Sequence, residues 1–165
     1  MNIQKPSENS LSDTDKDFAL WWLLLQARRA MHKVRSRELL KYGVTPEESA
    51  ILLVVKTIGD AATPAEISRW ILREPHSTSG LLERMRKKGL INKTRDLDRK
   101  NLVRVVLMEK GQKALQDSAG RESVHKILSH LSLEERQQLT SLVIKLRKAA
   151  IEELGTFGVP PFPKI

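Results

Sequence analysis

The sequence of 165 residues predicts a mainly α-helical α+β fold, and three observations carry that prediction. Apolar residues recur at helical spacing along most of the chain. Three Ser or Thr residues, each followed three positions later by Glu, have the pattern of helix N-caps: Thr45, Thr63 and Ser132. Only two short runs, 90–95 and 102–107, are typical of strands.

A long first helix is predicted from Thr14 to about Leu40, with Gly43 just beyond it as a stop. The adjacent Trp21 and Trp22 cannot both lie on one stripe of this helix, which indicates that a partner subunit covers a second side. The apolar run 18–25 is much shorter than the roughly 20 residues of a membrane-spanning helix, so no membrane segment is expected.

The remaining helix boundaries follow from caps and breakers. Capping boxes with proline at the first helical position predict helices near 46–57 and 64–72. The next helix begins near Pro75 and ends at Lys88, with Gly89 as its C-cap. The strands 90–95 and 102–107 follow, and residues 96–101 join them. One helix is predicted over 109–129 and a last, with a near-heptad apolar stripe, over 133–154.

This order predicts a winged helix-turn-helix lobe at 45–111, flanked by N- and C-terminal dimerisation helices at 14–44 and 112–154. Residues 1–13 are polar and are expected to form a mobile N-terminal segment. The Pro-rich tail 155–165 cannot be helical, because Pro160, Pro161 and Pro163 break a helix.

The charge of the chain is concentrated in one segment. The sequence carries 29 basic and 20 acidic residues, a formal net charge of +9, and a surplus of that size favours a polyanion as partner. Nine Lys or Arg residues lie between Arg84 and Arg104, against only Asp96 and Asp98. The absence of cysteine excludes disulfides, thiol catalysis and Cys-type zinc sites, and favours a cytoplasmic location.

The helix near 75–88 has two chemically different faces when it is placed on a helical wheel. Thr78, Leu81, Leu82 and Met85 form the buried stripe. Small and basic residues on the opposite face suit insertion into a major groove, with short side chains near base edges and cations near phosphates. These candidate DNA contacts are Arg73, His76, Ser77, Ser79, Gly80, Arg84 and Lys87. The alternative is an ordinary solvated face, on which His76 and the serines cap the helix.

The strand pair supplies a second set of candidate DNA contacts: Lys93, Arg95, Arg99 and Lys100, with Arg104 as a further cation. Arg99 at the tip is the candidate for minor-groove insertion, and Asp98 can orient it by a charge-assisted hydrogen bond. The alternative is a turn-forming Asp with an exposed Arg.

The layout over 14–154 resembles the MarR (multiple antibiotic resistance regulator) family. The resemblance rests on Asp96–Gly111, which is similar to the family's wing signature, and on Leu82–Met85 with Lys88–Ile91, which are similar to the end of its recognition helix and the start of its wing. It implies an obligate homodimer on a palindromic operator, released by a small aromatic effector. It also implies DNA contacts for Ser77, Ser79, Arg84 and Arg99. Two residues depart from the pattern: Gly80 replaces a polar side chain, and Met108 replaces a capping Thr.

Other functions have less support in the sequence. The four histidines lack a phased partner motif, and no hydrolase, P-loop or zinc-protease motif occurs, so we expect no enzyme activity, no metal and no cofactor. An effector pocket lined by Trp21, Trp22, Arg28 and His32 is a hypothesis, because tryptophans on an apolar helix are more often core. The alternative function is a winged helix that binds RNA or a protein partner.

Overall fold

The computed structural model describes residues 12–96, 102–155 and 160. Its elements are α1 Asp13–Leu40, α2 Pro46–Ile58, α3 Pro64–Trp70, α4 Pro75–Lys87, β1 Ile91–Arg95, β2 Val103–Leu107, α5 Glu109–Asp117, α6 Glu122–Leu128 and α7 Leu133–Leu154. The mainly helical winged helix-turn-helix architecture is confirmed. The single helix predicted over 109–129 is wrong: the chain breaks at 118–121 into α5 and α6.

The predicted N-caps are all present, although one is incomplete. Thr45 and Ser132 form full capping boxes with the glutamates three residues on. Thr63 accepts the amide of Glu66, but the Glu66 carboxylate binds Arg69 and the Trp70 indole instead of returning to the cap. Met108 stands at the N-cap of α5 and provides no side-chain hydrogen bond, so a capping interaction of about 1 kcal/mol is absent there.

The turn after α4 directs the chain into the strand pair. Gly89 has φ +73°, the left-handed conformation that glycine adopts at little cost, and Leu90 N–H donates to Met85 O at 3.0 Å. β1 pairs antiparallel with β2, with Ile91 opposite Leu107. Val105 N–H donates to Ala62 O at 2.7 Å, which fixes β2 to the turn between α2 and α3.

The hydrophobic core lies where α2, α3, α4 and the strand pair meet the end of α1. Its fully buried large side chains are Leu39, Ile51, Leu52, Ile67, Leu82, Met85, Leu90, Ile91 and Val105. These residues hold α4 by one face only, so its other face remains available to a partner.

The two long flanking helices leave apolar side chains uncovered in the single chain. On α1 these include Phe18, Leu20, Trp21, Trp22 and Leu23, and on α7 they include Leu139, Leu142, Val143 and Leu146. Among the described residues, no helix is long and apolar enough to cross a membrane.

Candidate nucleic-acid interface

The inner face of α4 is the stripe that the sequence predicts. Thr78, Leu82 and Met85 are fully buried and Leu81 is nearly so. The Thr78 hydroxyl has no hydrogen-bond partner among the described residues. Burial of this stripe fixes the rotation of α4 about its axis and therefore decides which residues face outward.

The outward face carries six of the predicted contact residues: His76, Ser77, Ser79, Gly80, Arg84 and Lys87, all exposed. Because Gly80 has no side chain, the backbone is exposed to solvent at this position of the outward face. A Cβ built there would lie 3.7 Å from Arg84 Nη1, so the Arg84 guanidinium lies beside the glycine. A duplex can therefore approach the α4 backbone closely at Gly80, with a cation adjacent to that point.

Arg73 lies outside α4, in the turn that precedes it. Leu72 adopts φ +50°, and the Ser68 hydroxyl donates to Arg73 O while Arg73 N–H donates to Ser68 O at 3.1 Å. The Arg73 side chain is half-buried and borders a cavity that Arg28 and His32 also line. It therefore sits between the interface and the flanking helix rather than on the open face.

Glu83 on α4 binds one cation on its own helix and lies near a second on β1. Its carboxylate accepts from Arg86 Nη2 at 2.8 Å and lies 3.7 Å from Lys93 Nζ on β1. The hydrogen bond from Arg86 lowers the pKa of Glu83, and the same contact raises the pKa of Arg86. Sequence reasoning did not select Arg86, although its i, i+3 spacing from Glu83 is a signal for such a pair.

A buried carboxylate holds the end of α4. Glu48, only 2% exposed, accepts from Lys88 Nζ at 2.8 and 3.0 Å and also caps Thr45 N–H. Lys110 Nζ donates to Lys88 O at 3.0 Å. Sequence reasoning missed Glu48 because its capping box explains it locally. These contacts hold Lys88, and with it the end of α4, in place.

The wing consists of β1, β2 and the segment that connects them, and a charged pair links its two sides next to that segment. Asp96 Oδ2 accepts from Arg104 Nε at 2.5 Å across the strands, and Asp96 N–H donates to Leu102 O at 2.9 Å. Arg95 is exposed beside this pair and Lys93 is half-buried. The predicted tip contacts Arg99 and Lys100 lie outside the described residues, as does Asp98.

Two of the four residues predicted to line an effector pocket come together. Arg28 and His32 border one cavity with Glu47, and His32 Nε2 lies 2.7 Å from Glu47 Oε1. Although burial alone would raise the pKa of Glu47, the hydrogen bond from His32 lowers it. Trp21 and Trp22 are not among the residues that line this cavity; they are 65% and 48% exposed.

His32 also borders a second, mainly apolar cavity of about 280 Å³ between α1, the start of α2 and α6. Its lining residues are Met31, His32, Arg35, Pro46, Ser123, Val124, Ile127 and Leu128. The lining is mainly apolar with a few polar side chains, as is usual for a site that takes a small organic molecule.

Comparison with protein families agrees with this architecture. A family model described as the MarR family matches residues 42–100, from Tyr42 through α4 and β1 into the wing. The match shows similarity to the MarR family over the segment that contains α2, α3, α4 and β1. Among curated proteins, none matches the sequence significantly.

Solved structures extend the similarity beyond the MarR-family match. The organohalide-sensing transcriptional regulator RdhR-CbdbA1625, bound to 2,4-dichlorophenol, is 29% identical, with all of this chain and 99% of that chain covered and a TM-score of 0.84. S. aureus MepR in complex with DNA is 22% identical, over 78% of this chain and 96% of that one, with a TM-score of 0.72. A variant of E. coli MarR with operator DNA is 16% identical, over 82% and 99%, with a TM-score of 0.75. The last two show the same fold.

The match to the MarR family and the similarity to RdhR-CbdbA1625 over the whole chain support a DNA-binding transcriptional regulator. The matched family and the similar solved structures are transcriptional regulators rather than enzymes.

Proposed function

We propose that the chain is a homodimeric, sequence-specific repressor that binds a palindromic duplex operator and is released by a small aromatic molecule. One observation carries the DNA contact: α4 is locked by a fully buried inner face and presents small residues around Gly80 beside Arg84 on its outer face. A helix of this kind, followed by a basic strand pair, suits a major groove with phosphates at its edge.

The same fold is seen on DNA in the MepR complex and in the operator complex of E. coli MarR. By analogy, the residues that bind DNA here are His76, Ser77, Ser79, Gly80, Arg84 and Lys87 on α4 and Lys93, Arg95, Arg99 and Lys100 on the wing, with Arg73 at the margin of this surface in the turn before α4. Those on α4 contact base edges and nearby phosphates, and those on the wing contact the backbone and the minor groove.

Salt dependence tests the contact with the DNA backbone. If two lobes together neutralise roughly 8 phosphates, the slope of log K against log salt concentration should be about −7. Binding of a duplex selected from a randomised pool should be compared with binding of the same sequence as RNA in a mobility-shift titration. A slope shallower than about −3 contradicts backbone contact by the wing, and preference for the RNA supports the alternative function.

The two tip residues test how the wing binds. Arg99→Ala should cost about 1–3 kcal/mol of operator affinity and lose preference for A·T-rich flanks, because arginine in a narrow minor groove responds to DNA shape. Lys100→Ala should cost less and should act evenly across sequences, as expected of a phosphate contact. Equal affinity of Arg99→Ala and wild type on one operator, with unchanged melting, removes Arg99 from the interface.

Exposed apolar surface supports the homodimer. Phe18 and Trp21 on α1 are about two-thirds exposed in the single chain, and α7 exposes half or more of Leu142 and Leu146. Large apolar side chains left exposed on both flanking helices favour a protein interface there. Sedimentation at micromolar concentration should give twice the 18.8 kDa chain mass, and a sample containing only the 18.8 kDa species contradicts the dimer.

The apolar cavity beside α6 supports an effector. RdhR-CbdbA1625 is bound to 2,4-dichlorophenol, a small aromatic ligand of the size class that the cavity can hold. That phenol should weaken operator binding by the wild-type chain. Val124→Trp fills the cavity and should abolish this response, whereas His125→Trp, on the exposed side of the same turn, should keep it. An equal response from both variants contradicts this location.

A further inference from the structure

The break between α5 and α6 lies between two bodies: α5 is counted here with the winged lobe because of its contacts, although it extends beyond residue 111, and α6 is counted with the flanking helices. α5 packs against α2 and β2, whereas α6 packs against α1. Residues 118–121 connect them, and Arg121 adopts a left-handed conformation with φ +48°, which is uncommon for a residue with a side chain. Local backbone hydrogen bonds, from Ala119 N–H to Gln116 O and from Arg121 N–H to Ser118 O, support the turn, and side chains of α1 add to them.

Two side chains of α1 cap both helix ends at this break. Arg35 Nη2 donates to Ser118 O, the carbonyl at the C-cap of α5, at 3.3 Å. Glu38 accepts the backbone N–H of Glu122 at 3.0 Å and that of Ser123 at 3.2 Å, and the Ser123 hydroxyl also donates to it. A cation at a helix C-terminus and a carboxylate at an N-terminus are both electrostatically favourable.

Arg35 and Glu38 also bind each other. Arg35 Nη1 lies 2.6 Å from Glu38 Oε2, and the i, i+3 spacing puts both side chains on one face of α1. Glu38 is 8% exposed. Although burial alone would raise its pKa, hydrogen bonds from Ser123 and Arg35 lower the pKa of Glu38 to about 2. The carboxylate is therefore ionised near neutrality and binds firmly.

We propose that Arg35 and Glu38 form a clip that sets the angle between the winged lobe and the flanking helices, and that they act as positioning residues for operator binding. The proposal rests on the proposed function, because two lobes of one dimer must present α4 at a fixed spacing on the duplex. If opening the clip leaves only about a tenth of the molecules with the right spacing, apparent affinity falls about tenfold.

The test measures the spacing of the lobes directly. The chain has no cysteine, so Lys113→Cys on the exposed side of α5 carries a single spin label in each lobe. In this background, electron–electron dipolar spectroscopy should give one narrow lobe-to-lobe distance. Glu38→Ala should broaden that distribution and weaken binding of the pool-selected duplex at least tenfold. Glu122→Ala removes an exposed carboxylate beside the same break and should change neither readout.

The outcomes separate the clip from the dimer. A narrow distribution and affinity within twofold of the background in folded Glu38→Ala overturn the clip. No dipolar signal in the Lys113→Cys background contradicts the homodimer instead. If Glu38→Ala does not fold, Ser123→Ala removes only the hydroxyl donor, and the clip predicts a smaller broadening with faster amide exchange at Glu122. Unchanged distance and exchange in Ser123→Ala also overturn the clip.

Discussion

Gly111 on α5 is the position at which a single methyl group should do most damage. The helix crosses the corner after α4 so closely that a Cβ at Gly111 would lie 2.0 Å from Leu90 O and 3.1 Å from Leu52 Cδ2. An unstrained carbon–oxygen contact is about 3.3 Å, so Gly111→Ala requires a displacement of more than about 1 Å. Leu90 O also accepts Met108 N–H at 3.0 Å, so that movement breaks a buried hydrogen bond at the start of α5.

The magnitude follows from three contributions. Overpacking against a backbone atom costs about 1–3 kcal/mol, and sometimes more. Loss of the Met108 hydrogen bond adds about 1 kcal/mol. The better helix propensity of alanine returns about 1 kcal/mol. We therefore expect Gly111→Ala to lower the free energy of unfolding by about 1–3 kcal/mol.

Urea unfolding at one fixed protein concentration measures this change, because the stability of a dimer depends on concentration. Gly120→Ala is the matched control: a Cβ there meets nothing within 4 Å, so stability should change by less than about 1 kcal/mol. If Gly111→Ala unfolds at the same urea concentration as wild type, α5 does not pass Leu90 as closely as described, and the reasoning fails.

Three further substitutions have expected outcomes. Thr78→Val should raise the free energy of unfolding by about 1 kcal/mol in urea, because the buried hydroxyl has no hydrogen-bond partner among the described residues. A decrease of about 1 kcal/mol would instead indicate that the hydroxyl has a partner. Gly80→Ala should raise helix stability by up to about 1 kcal/mol yet weaken duplex binding, and unchanged affinity would argue against close approach at Gly80. Glu38 has a lowered folded-state pKa, so its stabilisation is present above pH 4.5 and is lost as the pH falls towards about 2. Glu38→Gln should lower the free energy of unfolding by roughly 2 kcal/mol at pH 7, allowing for solvent screening. In the variant, that free energy should also depend less on pH between 4.5 and about 2. The same pH dependence of stability in the variant and the wild type would contradict this expectation.

Local signals were sufficient to predict most of the fold. Thr45 and Ser132 mark helix starts because each cap closes within four residues, and Gly89 marks a helix end by its left-handed backbone. The break between α5 and α6 was missed because its cap is Glu38, more than 80 residues away in sequence. A helix end that depends on such a distant side chain leaves no periodic signal near itself.

The sequence predicted which face of α4 is exposed, but it did not predict the ion pairs that the basic residues form. Burial of one stripe of α4 determines which residues are exposed, and hydrophobic periodicity reports that stripe directly. A count of basic residues, in contrast, does not show which of them form ion pairs with carboxylates. In the structure, part of the basic surplus faces carboxylates, in the pairs Arg86–Glu83, Lys93–Glu83, Lys88–Glu48 and Arg104–Asp96. The described cations without a carboxylate beside them are therefore fewer than the sequence alone indicates.

The length of the connection between α1 and α2 follows from two adjacent carboxylates. Glu47 contacts His32 on α1, while Glu48 contacts Lys88 at the end of α4. One residue inserted after Thr45 would rotate both carboxylates by about 100° about the helix axis and shift them about 1.5 Å along it. Surface connections ordinarily accept insertions and deletions among homologues. This one should keep a constant number of residues, because a change of one would move the two carboxylates away from His32 and Lys88 at once.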